Sequence, residues 1–395
     1  MTTTSCYLNA LGLLCAAGDT AAEVRNNLMS ANAGLTPVEA WGAGREVPLG
    51  IYHGSLPTIP LNSAKWQTRN NQFALAALQQ MRSEVDAAIA KYGADRVGVV
   101  IGSSTSGIAE SEAAVRQWIE AGSAPEHYHY AVQEMGACAS FVAELLDVSG
   151  PVYGISTACS SGAKALAAGR RLLDSDLCDA VISGGVDTLC HLTVMGFSSL
   201  EAVSNQPCNP FSRNRDGINI GEAAALFLMT REPGPVRLAG VGEGSDAHHI
   251  SAPDPSGSGA VRCMRAALED AGLDAAAVDY VNLHGTATPL NDQMESRAMA
   301  EVFGLGTPCS STKPFTGHTL GAAGAVEAGI CWLALTENDS GWLPPQLWDG
   351  ERDPELDAIN LTPSEIAEAA PPTCMLSNSF AFGGNNIALL FERAA

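Results

Sequence analysis

The chain has 395 residues, 46% of them apolar and only 16% charged, with 21 basic against 43 acidic side chains and a formal charge of −22. Ordinary soluble domains are about 25% charged, so this balance excludes a disordered or fibrous chain and predicts extensive burial, part of it at a subunit interface. A field of that sign excludes nucleic acid and anionic membrane as main partners. Taken in chain order, an apolar stretch lies at Leu11–Ala17, but no Lys or Arg precedes Arg25, which argues against a secretion signal. Short Val/Ile-rich runs predict strands at Val97–Ile101, Val152–Ser156, Ala180–Ser183, Val236–Val241, Tyr280–Leu283, Met375–Ser377 and Ile387–Phe391. Ala-rich stretches predict helices at Ala74–Lys91, Ser161–Leu173, Gly259–Ala271, Asp292–Val302 and Ala322–Leu335. Strand and helix in alternation mean α/β, and strands that are apolar throughout belong to sheets covered on both faces. The segment Arg231–Arg237, with two prolines and a glycine, sets a boundary between 1–232 and 233–395. Asp246–Gly259 reads as a surface loop.

No run of about 18 apolar residues occurs, so no membrane span is expected. The 11 cysteines are scattered from Cys6 to Cys374, with no CxxC pair and no Cys/His cluster at zinc spacing. That pattern reads as a reduced, cytoplasmic protein with buried thiols and no metal centre.

Cys159 follows a short strand and precedes a helix of small residues, Ser-Gly-Ala-Lys-Ala. A side chain on such a turn projects outward, and the free N–H groups at the helix start favour a thiolate there. A buried structural thiol is the plainer reading of any single cysteine; the strand–Cys–Gly–helix setting favours a nucleophile. His284 ends a strand and is followed by Gly285, which faces it into the crevice where α/β sheets bind ligands. His318 lies between Gly317 and an Ala-rich helix. Lys313 reads either as a solvated loop lysine or as the partner of Glu327, a carboxylate inside an otherwise apolar helix. The glycines at 102–107 and 383–384 match neither GxxxxGK[ST] nor GxGxxG. Gly383 and Gly384, after Phe382, instead suit backbone N–H groups offered to an oxyanion.

Five segments together resemble the β-ketoacyl-[acyl-carrier-protein] synthases of the thiolase-like superfamily, in the elongating Cys-His-His class. They are TACSSG around Cys159, NPFSRNRDG at Asn209–Gly217, HGTATPLND at His284–Asp292, STKPFTGHTLGAAGA at Ser311–Ala325 and NSFAFGGNN at Asn378–Asn386. The resemblance implies a five-layer αβαβα fold of two similar fused halves, 1–232 carrying the nucleophilic Cys and 233–395 carrying both histidines. It implies a decarboxylating Claisen condensation of an acyl-enzyme thioester with malonyl-ACP, giving 3-oxoacyl-ACP and CO2 in fatty acid or polyene/polyketide synthesis. Cys159 would be acylated, His284 and His318 would bind the malonyl thioester carbonyl, and Lys313 and Glu327 would support them. Phe382, Phe380 and Gly383 would form the gate and oxyanion hole, Phe197 and Ile108 the acyl pocket, and Lys65 and Arg69 the carrier contact. The partners implied are acyl carrier protein, whose phosphopantetheine carries the substrates, and a second subunit in a homodimer or a heterodimer. No further cofactor or metal is implied. A non-condensing chain-length-factor-like subunit and a CoA-dependent thiolase are the alternatives; the presence of Cys159 disfavours the first, and Phe382 in the C-terminal loop, with the two His motifs, disfavours the second. Ile218, Asn219, Ala287, Pro314, Phe315, Thr319, Ala381 and Asn385 depart from the usual pattern, and Ala381 would be strained if its position needs positive φ.

Overall fold

The computed structural model describes residues 5–39, 46–126, 128–364 and 370–394. The first part of the chain forms β1 (Tyr7–Cys15), α1 (Ala21–Met29), the antiparallel pair β2 (Thr36–Glu39) and β3 (Glu46–Leu49), α2 (Arg69–Gln80), α3 (Arg82–Tyr92), β4 (Val97–Gly102), α4 (Ile108–Ala121), α5 (Ala137–Leu146), β5 (Val152–Ile155), α6 (Ser161–Asp174), β6 (Ala180–Asp187), α7 (His191–Ser199) and β7 (Ala223–Thr230). The second forms β8 (Val236–Ser245), α8 (Ser258–Ala271), β9 (Tyr280–Asn282), α9 (Pro289–Val302), β10 (Pro308–Ser310), α10 (Lys313–Thr316), α11 (Ala323–Thr336), β11 (Asn360–Leu361), β12 (Cys374–Phe380) and β13 (Asn385–Arg393).

Eleven strands are joined by hydrogen bonds in the order β11-β10-β9-β12-β13-β8-β1-β7-β6-β4-β5. Read from its own first strand, each half repeats one topology. The orders β5-β4-β6-β7-β1 and β10-β9-β12-β13-β8 are both third, second, fourth, fifth, first. In both, the second, third and fourth strands run parallel and the fifth runs antiparallel to its neighbours. The halves meet where Tyr7 and Leu8 pair with Arg237 and Val236. Helices α2, α3 and α5 cover the outer face of the first half, and α8, with α9 behind it, covers that of the second. Helices α6 and α11 touch strands of both halves and form the central layer of an αβαβα arrangement.

Side-chain alternation explains the layers. On β7, Ala223, Ala225, Phe227 and Met229 join the central core, while Ala224, Leu226 and Leu228 join the outer one. Leu11 and Leu13 of β1 likewise face inward while Ala10 and Leu14 face α2. Strands buried on both faces must be apolar at every position, so the segment AAALFLMT, which carries no alternation, is a central strand. Small residues let the two inner helices approach. A Cβ on Gly324 would stand 2.7 Å from that of Ala163, and one on Gly162 would stand 3.0 Å from that of Ala325.

One stretch gains a place and one expectation changes. The apolar stretch at Leu11–Ala17 largely belongs to β1, a strand inside the sheet. The single helix expected over Ala74–Lys91 is two, α2 and α3, because buried Met81 leaves helical geometry at φ −124°. Among the described residues no helix is long and apolar enough to cross a membrane.

Phe227 is fully buried between the two central helices and β1. Phe227→Ala should lower the unfolding free energy by about 3–5 kcal/mol in a denaturant titration. A loss under about 1 kcal/mol would contradict its place in the central layer.

Candidate active site

The inner helices follow the third strand in each half, α6 after β5 and α11 after β10. Their starting ends come together at the C-terminal ends of the parallel strands, the usual ligand-binding edge of an α/β sheet. Cys159 occupies the turn in the first half, while Lys313 and His318 occupy the matching turn in the second. Ala158, at φ +53°, is left-handed and sharpens the turn into α6. The Ser161 hydroxyl fixes it, accepting from Thr157 N at 2.8 Å and donating to Ala158 O at 2.6 Å. Cys159 is thereby aimed across the junction at His318, whose Nε2 lies 2.9 Å from its Sγ.

His318 is held through its backbone. Its N–H donates to Asn219 O at 2.6 Å, and its carbonyl accepts from Gly221 N at 2.9 Å. The departure at Asn219 is thus built in: its buried side chain also accepts from Cys208 N and donates to Gln206 O. His284 stands just beyond β9, with its N–H and that of Gly285 both donating to the Glu295 carboxylate at 2.7 Å. The two imidazoles meet edge to face at 5.5 Å, and His284 also meets the Phe380 ring at 6.2 Å. One atom from each of Cys159, His284 and His318 falls within 4.8 Å of the others. Lys313 is buried; its Nζ donates to the His284 carbonyl and, at 2.5 Å, to Glu327 Oε1.

Burial dominates the electrostatics. It pushes the Cys159 thiol up to about 12, opposed by the Lys313 charge and by a hydrogen bond from the Phe382 N–H. Burial, reinforced by the Lys313 cation, holds both imidazoles well below the usual histidine range. Both Nδ1 atoms are buried with no hydrogen-bond partner among the described residues. Burial likewise raises Glu327 and Glu295 to about 7. Desolvation thus works against the thiolate expected from the helix start, drawing the Cys159 sulfur toward the thiol and both rings toward the neutral imidazole.

The three side chains open into a cavity of about 300 Å³ lined also by Phe197, Ile218, Thr286, Phe380 and Phe382. Phe197 and Phe382 stack at 5.6 Å. The loop after β8 contributes Asp246 and residues 251–253 to its wall. Ile108, placed in an acyl pocket by resemblance, opens α4 and stands outside this lining. Gly383, expected at an oxyanion, donates its N–H to Ile250 O, so Phe382 alone in that loop directs an N–H at the sulfur. Arg69 is bound to the buried Glu222 carboxylate, and Lys65 lies over the Trp66 ring with Glu144 at 3.4 Å. Neither is a free surface cation. Ala381 is extended at φ −99° and carries no strain, whereas Ala287 is left-handed at φ +64°.

Among the described residues four buried acids escaped the sequence reading: Asp187, Glu222, Asp292 and Glu295. Asp292 accepts from Phe211 N and Ala287 N, tying two of the motif loops together. Their donors lie elsewhere in the chain, so no local pattern marks them as buried.

Known proteins resemble this arrangement throughout. The family models Beta-ketoacyl synthase, N-terminal domain, and Beta-ketoacyl synthase, C-terminal domain, match residues 53–233 and 236–347. The 3-oxoacyl-[acyl-carrier-protein] synthase 2 of Staphylococcus aureus (strain COL) is 33% identical over 85% of this chain and 84% of that protein. The ketosynthase ApeO from Xenorhabdus doucetiae, solved in complex with its chain length factor ApeC, is 44% identical with a TM-score of 0.94, covering 99% of this chain and 98% of that one. A β-ketoacyl synthase from Burkholderia phymatum STM815 is 29% identical with a TM-score of 0.88, covering 99% of this chain and 100% of that one.

The raised thiol has a direct readout. An acid whose pKa is raised to about 12 stays protonated at neutral pH, so Cys159 alkylation by iodoacetamide should be slow at pH 7. It should quicken roughly tenfold per pH unit toward pH 10, followed by peptide mass spectrometry. A plateau already reached near pH 7 would mean a stabilised resting thiolate.

Proposed function

This chain belongs to the β-ketoacyl synthase family, and from that premise we propose what each residue of the site does and which partners it meets. The reaction is the decarboxylating Claisen condensation of an acyl-enzyme thioester with malonyl-ACP. The observation that carries the assignment of roles is the single cavity shared by the Cys159 sulfur, the His284 and His318 rings and the Phe382 N–H.

In the first stage the Cys159 sulfur attacks the acyl thioester carbonyl. His318 Nε2, at 2.9 Å, takes the thiol proton as the C–S bond forms, and the departing carrier thiol carries that proton away. The N–H groups of Cys159 and Phe382 stabilise the tetrahedral oxyanion. In the second stage malonyl-ACP places its thioester carbonyl between the two imidazoles. A neutral ring has one N–H, and both rings donate to the oxygen with that proton on Nε2; His318, whose Nε2 accepts from the thiol in the first stage, reaches this state by moving its Nδ1 proton to Nε2 once the sulfur is acylated. The bond to the carboxylate breaks, CO2 leaves, and the electron pair becomes an enolate held by those two donors. Its carbon attacks the acyl carbonyl, the bond to the Cys159 sulfur breaks, and the thiolate that leaves takes a proton from water. Lys313 and Glu327 hold the His284 loop against α11. Both substrates ride on the phosphopantetheine of acyl carrier protein, no metal or further cofactor enters, and the compartment is the cytoplasm. Each half alone is incomplete, since 1–232 holds the sulfur and 233–395 holds both imidazoles.

A neighbour 44% identical along the chain is a ketosynthase solved with its chain length factor. By extension this chain is the condensing subunit of such a pair, working in polyene or polyketide rather than primary fatty acid synthesis. A surface suited to pairing supports this. Strand β5 is an edge of the sheet, with Tyr153 exposed, and α4 presents Val115, Trp118 and Ile119, the last 80% exposed, with Leu192 of the adjoining α7. Of the two cations placed at the carrier contact, Lys65 is held by a 3.4 Å surface pair with Glu144 that a carrier carboxylate can displace, while Arg69 serves the buried Glu222 instead.

Cys159→Ala should abolish both acyl transfer to the enzyme, read by intact mass, and chain extension. His284→Ala or His318→Ala should keep some acylation yet slow CO2 release from malonyl-ACP by about 10²–10³-fold; unchanged CO2 release in both would remove their assigned role. Ile119→Asp should shift the sedimentation of the enzyme from an assembled species to a single subunit with its secondary structure intact. Persistence of the assembled species in that variant would place the pairing face elsewhere.

A further inference from the structure

Asp187 ends β6 with its carboxylate fully buried and no cation among its partners in the described residues. Every contact is a hydrogen bond. Oδ1 accepts from Ser103 Oγ at 2.7 Å, Ser104 N at 2.8 Å, Thr105 N at 2.9 Å and Thr105 Oγ1 at 2.8 Å. Oδ2 accepts from Ser104 Oγ at 2.5 Å and from Gly321 N at 2.6 Å. An ionised carboxylate is acceptor-only, with about four lone-pair sites, so six donors saturate it.

The donors come from two places. Residues 103–105 lie in the loop after β4, where Ser106 is held at a left-handed φ of +46°. Gly321 belongs to the other half of the molecule, three residues after His318, in a turn where Leu320 is left-handed at φ +49°. That junction is tight: a Cβ on Gly321 would stand 2.7 Å from Asp187 Oδ2 and 2.8 Å from Ser104 N. The His318 backbone is pinned on one side by Asn219 and Gly221, and this carboxylate grips the turn on the other.

We infer that Asp187 is a positioning residue for His318: its carboxylate binds the β4 loop to the His318 turn, so the imidazole keeps its place beside the Cys159 sulfur. The inference rests on the decarboxylating role assigned above to His318. Its effect is one of geometry, because the charge itself works against the reaction; a carboxylate near the site opposes both a thiolate and an enolate. In Asp187→Asn one acceptor becomes an NH2 donor facing backbone N–H groups. The serine and threonine hydroxyls can turn to accept from it, but a backbone N–H loses its acceptor whichever oxygen is replaced: Gly321 N at the Oδ2 position, or Ser104 N and Thr105 N at the Oδ1 position.

Two rates should therefore part. In Asp187→Asn the release of CO2 from malonyl-ACP should fall about 10- to 100-fold, the usual effect of a displaced catalytic group. Iodoacetamide alkylation of Cys159 should stay as fast as in the wild type or rise, since a charge that keeps the thiol protonated is gone. Ser104→Ala, which removes one bond to Oδ2 and leaves the carboxylate, should give a smaller loss in the same direction and decides the matter if Asp187→Asn fails to fold. Unchanged CO2 release in a folded Asp187→Asn, or a proportional fall of CO2 release and alkylation together, overturns the inference. A wild-type enzyme that releases no CO2 from malonyl-ACP would instead overturn the role given to His318, which the same assay reads separately.

Discussion

Lys313 donates at once to the Glu327 carboxylate of α11 and to the carbonyl of His284, almost without solvent contact. Taking such a pair out of water is expensive, and its attraction repays that only with good geometry and further hydrogen bonds. Here the third partner is the backbone of a catalytic loop, so the ion pair acts as a fastener between the end of β9, the turn after β10 and the inner helix. Its charge also sets the state of everything nearby. The cation pushes both imidazoles further toward neutrality and draws the thiol part of the way down from the height that burial imposes. The result is a pocket whose working groups are uncharged at rest. Charge appears there only when a substrate bond breaks, which is when fixed dipoles stabilise it most.

The repeated topology explains why groups so far apart in the chain meet. One strand order is used twice, and the turn from the third strand into the inner helix is used twice with different contents. The first copy carries a sulfur on a left-handed elbow; the second carries an imidazole and an ammonium. Because α6 and α11 start side by side, the two turns face one another, and small residues at Gly162, Ala163, Gly324 and Ala325 make the approach possible. Larger side chains at those positions would separate the imidazole from the sulfur without touching either.

Much of this was legible in the residues. Seven of the strands and the helices α6, α8 and α11 follow from apolar runs and Ala-rich stretches, and the Gly-flanked cysteine and histidines stand at strand ends as their neighbours imply. What escaped has physical causes. Strands β1 and β7 are rich in Leu and Ala and contain no Val or Ile, so their apolar runs suit a helix as well as a strand. Met81 divides what looks like one helix, because a buried apolar residue suits either a helix interior or a break. The protonation of Cys159 depends on surroundings supplied by both halves, which local motifs do not contain. Arg69 looked free because its partner, Glu222, lies far along the chain. Asp187 looked like an ordinary strand end because its donors arrive from the β4 loop and from beyond β10.

Strand β1 lies between β7 and β8, pairing with Thr230 and with Arg237 through the same residue, Tyr7. During synthesis that apolar ribbon emerges long before either neighbour. At about 5–20 residues per second, its natural partners are many seconds away. Until they arrive, its backbone amides and leucines are an open template for any passing extended segment. A chain ending before β7 keeps that template open for good, and its product should collect in inclusion bodies rather than as a soluble half.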